Sequence, residues 1–292
     1  PKYEKDYTLG KYIVVNKFKD AVQGPNPKHQ GLLPRMWSSQ NAENYMRYFG
    51  ALDFRITQPN QELGQAAEQI KIGFANGEIG ADQYISFLKR FDEYIEVQPP
   101  TVWDNIKYMV EFQFNYMYLR YFMWNFVGKQ NDVQGRYNDN GNWLSGINFL
   151  DSWRLGSQDN LPSDIKNNPG RNTYFFLPLL LGIIGIVFQV SKDKKQFWVL
   201  LIFFLFTGLA IQFYTNPGIF QPRERDYSLV GSFYVFALWI GLGVYGLYDS
   251  FKDWVTPKIL APIVVVVSLL AVPTVMALQN WDDHDRSNRF TA

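Results

Sequence analysis

Seven residues, Gln221-Pro222-Arg223-Glu224-Arg225-Asp226-Tyr227, set four alternating charges between two long apolar runs. Charges at the edge of a membrane-length segment are costly to organise, so they are a functional hypothesis by default. Two guanidiniums one residue apart suit a phosphate or pyrophosphate, which arginine binds through paired hydrogen bonds. Glu224 or Asp226 would then orient an arginine or meet a sugar hydroxyl, while Pro217, Gly218 and Pro222 restrain the approach. A structural role competes with this one: the charges pair with one another and with lipid headgroups, fixing where the next helix starts.

Three other groupings bear on chemistry. Trp281-Asp282-Asp283-His284-Asp285-Arg286 places carboxylates beside one of only two histidines, a weak candidate for a divalent metal or a base. A solvated acidic linker is an equal reading. Arg120 lies among Tyr118, Tyr121, Phe122 and Trp124, where it either anchors by cation–π contact or reaches a phosphate or sugar. Gly241-Leu242-Gly243-Val244-Tyr245-Gly246 matches a dinucleotide-binding pattern but sits inside an apolar run. Without a preceding strand it reads as close helix packing. The acidic stretch around Asp132 and Asp139 lacks the closing glutamate of a calcium loop.

These residues must be positioned by a chain of two unlike halves. The mean hydropathy of −0.19 averages a polar, aromatic segment over 1–172 with an apolar one after it. The net charge of +1 argues against a nucleic-acid footprint, and the absence of cysteine excludes disulfides, thiol nucleophiles and zinc–thiolate sites. Residues 1–60 are turn-rich, with a short apolar burst at Tyr12-Ile13-Val14-Val15. Spacing predicts a helix pair from Gln61 to about Tyr94, broken at Asn76-Gly77. Residues 102–127 hold no Pro or Gly and predict an aromatic amphipathic helix. Its charges (Asp104, Lys107, Glu111, Arg120) suit the membrane interface or packing on the membrane region better than a span. Residues 128–172 read as a long polar loop with a short helix near Leu144–Trp153.

Four transmembrane helices are expected at 173–190, 197–214, 227–248 and 259–278, with Pro178 and Pro273 inside them. Tyr174, Trp198, Tyr214, Tyr227, Tyr248 and Trp281 mark their ends as an aromatic belt. The fold class is therefore mainly α and integral to a membrane, with a loop-rich and helical extramembrane segment before the spans. Lys192, Lys194, Lys195, Lys252 and Lys258 flank one side; Lys166, Arg171, Arg223, Arg225, Arg286 and Arg289 flank the other. The charge rule thus leaves orientation nearly tied, with the compact lysine loop weakly favouring a cytoplasmic 192–195 turn.

The runs YMYLRYFMWNFVGKQNDVQG (116–135), QPRERDYSLVGSFYVFALWIGLG (221–243) and NWDDHDRSNRFTA (280–292) resemble bacterial multi-spanning membrane proteins, chiefly of Bacteroidetes. That family is related to the animal membrane O-mannosyltransferase that modifies plexin-type receptors, in the GT-C class of glycosyltransferases. The resemblance implies transfer of a sugar from a polyprenyl-phosphate donor to a periplasmic acceptor, a protein Ser or Thr hydroxyl. It implies an inner-membrane location, with segment 1–172, the 221–227 island and the 280–292 tail periplasmic. Arg223 and Arg225 would hold the donor phosphate. Glu224, Asp226, Tyr227, Arg120, Trp124, Asn131 and Asp132 would build the sugar or acceptor side. The expected partners are membrane lipids, the lipid-linked sugar and the periplasmic acceptor protein; no cofactor is assigned. The catalytic carboxylate of such enzymes belongs to a first extracytoplasmic loop that matches nothing here, so the chain reads as an internal fragment with its base elsewhere. The alternative is a non-catalytic membrane scaffold that docks periplasmic proteins through its polar segment.

Overall fold

The computed structural model describes residues 2–16, 45–46, 52–58, 61–98, 100–133, 135, 140–215 and 226–284. It divides into two compact units, Pro1–Ile106 and Lys107–Ala292. The aromatic helix and the polar segment after it thus belong with the apolar helices, although the composition of the sequence breaks near residue 172.

In the first unit, β1 (Lys2–Asp6) and β2 (Lys11–Asn16) form an antiparallel hairpin, so the Tyr12–Val15 burst is a strand. Its turn is held by Asp6 Oδ1, which accepts from the Thr8 and Leu9 amides at 2.9 and 3.1 Å. A two-stranded pair, β3 (Phe54–Ile56) with β4 (Ile95–Val97), brackets α1 (Gln61–Ala75) and α2 (Ala81–Arg90). The helix break is where Asn76-Gly77 predicts it, with Gly77 at φ +75°. Phe54, Phe74, Tyr84 and Phe87 pack as tilted and edge-on rings, and buried Tyr84 donates to the Leu52 carbonyl at 2.9 Å. A short helix, α3 (Val102–Lys107), closes this unit's sequence.

The second unit opens with α4, made of Tyr108–Leu119 in wide π-type turns and Arg120–Phe126 in α turns. After the short strand β5 (Gly128–Lys129) come α5 (Asn148–Leu155), α6 (Ser163–Lys166) and strand β6 (Asn172–Thr173), which pairs antiparallel with β5. Four apolar helices follow: α7 (Leu177–Lys192), α8 (Lys194–Thr215), α9 (Asp226–Phe251) and α10 (257–284).

Among the described residues, three helices are long and apolar enough to cross a membrane: Lys194–Thr215, Tyr227–Phe251 and Pro257–Trp281. The expected first span, 173–190, starts later. Asn172 and Thr173 are a strand, and Phe175 and Phe176 take positive φ of 53° and 61°. The helix therefore begins at Leu177 with Pro178 in its first turn, where a missing N–H costs nothing. At 16 residues it rises about 24 Å, short of a hydrocarbon core.

Helix α9 is the central element. It runs parallel to α7, with Leu181 and Gly182 near Phe236 to Gly243 and Phe188 near Tyr245 and Gly246. It runs antiparallel to α8, where Phe197 and Phe204 meet Trp239 and Thr207 meets Gly231. A Cβ on Gly185 would overlap the Trp239 carbonyl, and one on Gly243 would overlap that of Leu181. Gly243, from the apparent dinucleotide pattern, is thus a helix-crossing residue. Buried Trp239 donates to Gln189 Oε1 at 2.7 Å, satisfying two polar groups inside the apolar packing. Helix α4 lays Tyr118, Tyr121, Phe122 and Phe126 on this group, against Leu229, Phe233, Phe236 and Phe204.

Candidate functional site

The four apolar helices have two ends. Leu177, Thr215, Asp226 and the C-terminal end of α10 lie at one; Lys192, Lys194, Phe251 and Pro257 lie at the other. A cleft of about 410 Å³ opens at the first end, lined by α4, β5 and the segment beyond it, Tyr174, α9 and α10. Its polar part holds Lys129, Asp132, Asn125 and Asn280; its apolar part holds Val230 and Phe233 of α9 and Met276 of α10. Tyr121, Trp124 and Tyr174 supply aromatic walls.

Lys129 is placed by its backbone. Gly128 adopts φ +136°, and a Cβ there would strike the carbonyls of Asn172 and Leu144, so only glycine lets the chain pass between β6 and the Trp143–Leu144 segment. The side chain of Lys129 is nearly fully buried and bonds Asp132 Oδ1 at 2.5 Å, while half-exposed Asp132 faces the cleft. The ammonium also lies 5.2 Å from the centre of the Trp124 ring, which stacks on Tyr121 at 5.3 Å. Gly170 leaves room for the Asp132 carboxylate, since a Cβ there would touch Oδ2. A desolvated lysine beside a carboxylate, an aromatic face and amide side chains is suited to bind an anion and a polyol.

The far wall is fixed by a clasp between α10 and the entrance to α7. Gln279 Oε1 accepts from the Thr173 amide at 2.8 Å, and Asn280 donates to Tyr174 OH at 2.6 Å and to the Met276 carbonyl at 2.7 Å. The amides of Asn280 and Asn172 meet at 2.8 Å. Helix α9 packs on α10 chiefly through the first part of that helix, Pro257–Leu269, while the last part, Val275–His284, packs on β6. The two helices therefore part toward the cleft end, and the cleft lies in the wedge.

The residues expected from sequence fare differently. Trp124 and Asp132 line the cleft together. Asn131 stands behind them: its carbonyl accepts from Trp124 Nε1 at 3.3 Å, and its amide donates to Asn140 Oδ1 at 2.6 Å. Arg120 does not line the cleft. It is buried, lies 4.6 Å from the Tyr116 ring centre, and donates to the Tyr116 and Gly141 carbonyls at 3.1 and 2.6 Å. That is the anchoring role, here holding Gly141 against α4. Arg223, Glu224 and Arg225 lie outside the described residues. Asp226 begins α9 and Tyr227 is exposed there, one turn before Val230. Asp282, Asp283 and His284 continue the backbone of α10; among the described residues no cluster of His, Asp or Glu suits a metal.

Tyr174 was expected only as a belt residue, and Lys129, Asn125, Met276 and Asn280 were not singled out from sequence. Lys129 and Asn280 nevertheless sit inside two of the runs that carry the family resemblance, beside more conspicuous neighbours.

A second polar group braces this end. Buried Asp151 accepts from the Ser145 and Gly146 amides at 2.9 and 2.7 Å and from Ser145 Oγ at 3.0 Å. Arg154 stacks 3.6 Å from the Trp143 ring centre, and Arg171 donates to Gln158 at 2.8 Å. Burial pushes both guanidinium pKa values down, and the charge of Asp151 opposes the shift. Arg154 Nε and Arg171 Nη1 are buried without a hydrogen-bond partner, so Asp151 is their compensating charge.

Residues 1–110 match the model of a family of unknown function, DUF8416. The match spans less than half of the chain, nearly coincides with the first compact unit, and ends before any residue that lines the cleft. No curated protein and no solved structure matches the chain.

Proposed function

We propose that this chain is part of a membrane glycosyltransferase of the GT-C type, which transfers a sugar from a polyprenyl-phosphate donor to an acceptor hydroxyl on the periplasmic side of the inner membrane. The observation that carries the reading is the two-sided character of the cleft. Lys129 and Asp132 stand at its polar part, and Val230, Phe233 and Met276 stand at its apolar part, between helices of membrane-spanning length. A ligand with an anionic head and a hydrocarbon tail suits both at once. The resemblance of the three sequence runs supports the same class, and two of those runs supply Lys129 and Asn280. On this reading the short α7 is the fourth span, its length completed by the residues leading into Leu177.

In the transfer step the acceptor oxygen attacks the anomeric carbon, and the bond from that carbon to the phosphate oxygen breaks. The polyprenyl phosphate leaves with the bonding pair. Lys129 offsets the charge that builds on the phosphate, joined by Arg223 and Arg225 from the stretch leading into α9. The proton of the acceptor passes to a carboxylate. Asp132 is the carboxylate among the described cleft residues and is the one placed to accept it.

Native mass spectrometry of the whole protein with undecaprenyl phosphate, against dioleoylphosphatidylcholine at equal concentration, tests this. One polyprenyl phosphate held selectively, and lost with Lys129→Ala, is the expected result. Equal retention of both lipids would overturn the donor-site reading. A scaffold remains the second reading, favoured by the exposed tyrosines of the β1–β2 hairpin, Tyr3, Tyr7 and Tyr12. Selective phosphate-lipid binding separates the two.

A further inference from the structure

We infer that α5 (Asn148–Leu155) is a membrane-surface helix whose Phe149 and Trp153 insert into the headgroup layer of the bilayer, level with the cleft. This inference rests on the membrane-spanning reading of α8, α9 and α10. The helix has two unlike faces. Asp151 is buried beneath it and Arg154 turns to Trp143, whereas Phe149 and Trp153, four residues apart on one face, are 85% and 79% exposed. Two large aromatics side by side on the exposed face of a pinned helix form an apolar patch of the kind that meets a membrane or a partner.

The height of the helix follows from its hydrogen bonds. Asp151 ties α5 to the Ser145 and Gly146 amides, and the Ser145 carbonyl accepts from the Phe175 amide at 3.0 Å. A Cβ on Gly146 would lie 2.8 Å from both the Phe175 ring and Thr173 Cβ, so the start of α5 rests on the entrance to α7. Thr173 is in turn bonded to Gln279, within the last turn of the Pro257–Trp281 span. The residues beneath α5 therefore mark the level where one span ends. Exposed Phe175, Tyr214, Tyr227 and Trp281 occupy that same end of the helices, as an aromatic belt does at a lipid–water boundary. Phe149 and Trp153 extend the belt sideways, in the manner of interfacial amphipathic helices.

This chain holds no cysteine, so a thiol introduced into it is unique within residues 1–292. Trp153→Cys, Phe149→Cys, Asp159→Cys and Val266→Cys are each spin-labelled in the whole protein in nanodiscs. Power saturation then compares collisions with oxygen and with a water-soluble nickel chelate. Positions 149 and 153 are expected to favour oxygen several-fold over position 159, with a depth between those of 159 and 266. Labels at 149 and 153 as nickel-accessible as the one at 159, with 266 lipid-shielded, overturn the surface-helix inference alone. A nickel-accessible label at 266 overturns the spanning reading and this inference with it.

Discussion

The two ends of the apolar helices solve opposite problems. At the turn end, Asp193 alone separates α7 from α8, and its carboxylate caps α8 by accepting from the Lys195 and Gln196 amides. Lys252, three residues on, and Lys192 of α7 both pair with Asp249, at 2.7 and 2.9 Å, closing the end with solvent-facing ion pairs. At the cleft end the contacts come from far apart in sequence: β5 with β6, Thr173 with Gln279, Tyr174 with Asn280. There the helices part and buried charges are brought in. One end is closed by a one-residue turn and exposed ion pairs, and the other gives up easy closure to hold a cavity.

The largest effect is expected where the comparison has its hinge, the α7–α9 crossing. Gly243→Val places a side chain on the Leu181 carbonyl, and overpacking of this kind costs about 1–3 kcal/mol or more. It should abolish a monodisperse peak in detergent, because both ends depend on that crossing. Lys129→Ala acts at the cleft end alone. Loss of a charge-assisted hydrogen bond weakens polyprenyl phosphate binding roughly tenfold or more, read by titration, with partial recovery in Lys129→Arg. The melting temperature should change little, since Asp132 is half exposed and can be solvated.

Asp151→Asn tests the brace. It removes the charge shared by Arg154 and Arg171 and turns an amide donor toward a backbone N–H, a local cost of about 1–3 kcal/mol. Hydrogen exchange should speed up over 143–147 and leave the turn end unchanged. Asp249→Asn is the smallest. Exposed pairs contribute little, so stability should shift slightly, and less so in high salt. A larger loss of phosphate-lipid binding from Asp249→Asn than from Lys129→Ala would dissolve the distinction between the ends.

Much of the helical framework was legible because it rests on local signals. The α1–α2 pair follows from apolar spacing and the Asn76-Gly77 break, and α8, α9 and α10 from runs of membrane length. The aromatic setting of Arg120 left anchoring and ligand contact both open, and its bonds to the Tyr116 and Gly141 carbonyls are visible only in the fold. The start of α7 was not legible, because it depends on β6 pairing with a strand more than forty residues earlier. The same holds for the cleft. Lys129, Tyr174 and Asn280 converge only after folding, and no spacing rule links an asparagine on the last helix to a lysine beyond α4. The eye goes instead to dense local charge, such as the 223–226 run, because density is visible in one dimension and convergence is not.

The clasp between α10 and the entrance to α7 has a mechanical consequence. Gln279 and Asn280 grip Thr173, Asn172 and Tyr174, while Met276, one turn earlier on the same helix, forms the cleft wall. Grip and wall are one rigid lever arm. A slide of α10 along its axis by a single helical turn, about 5.4 Å, would unfasten the grip and reset the width of the cleft in the same stroke.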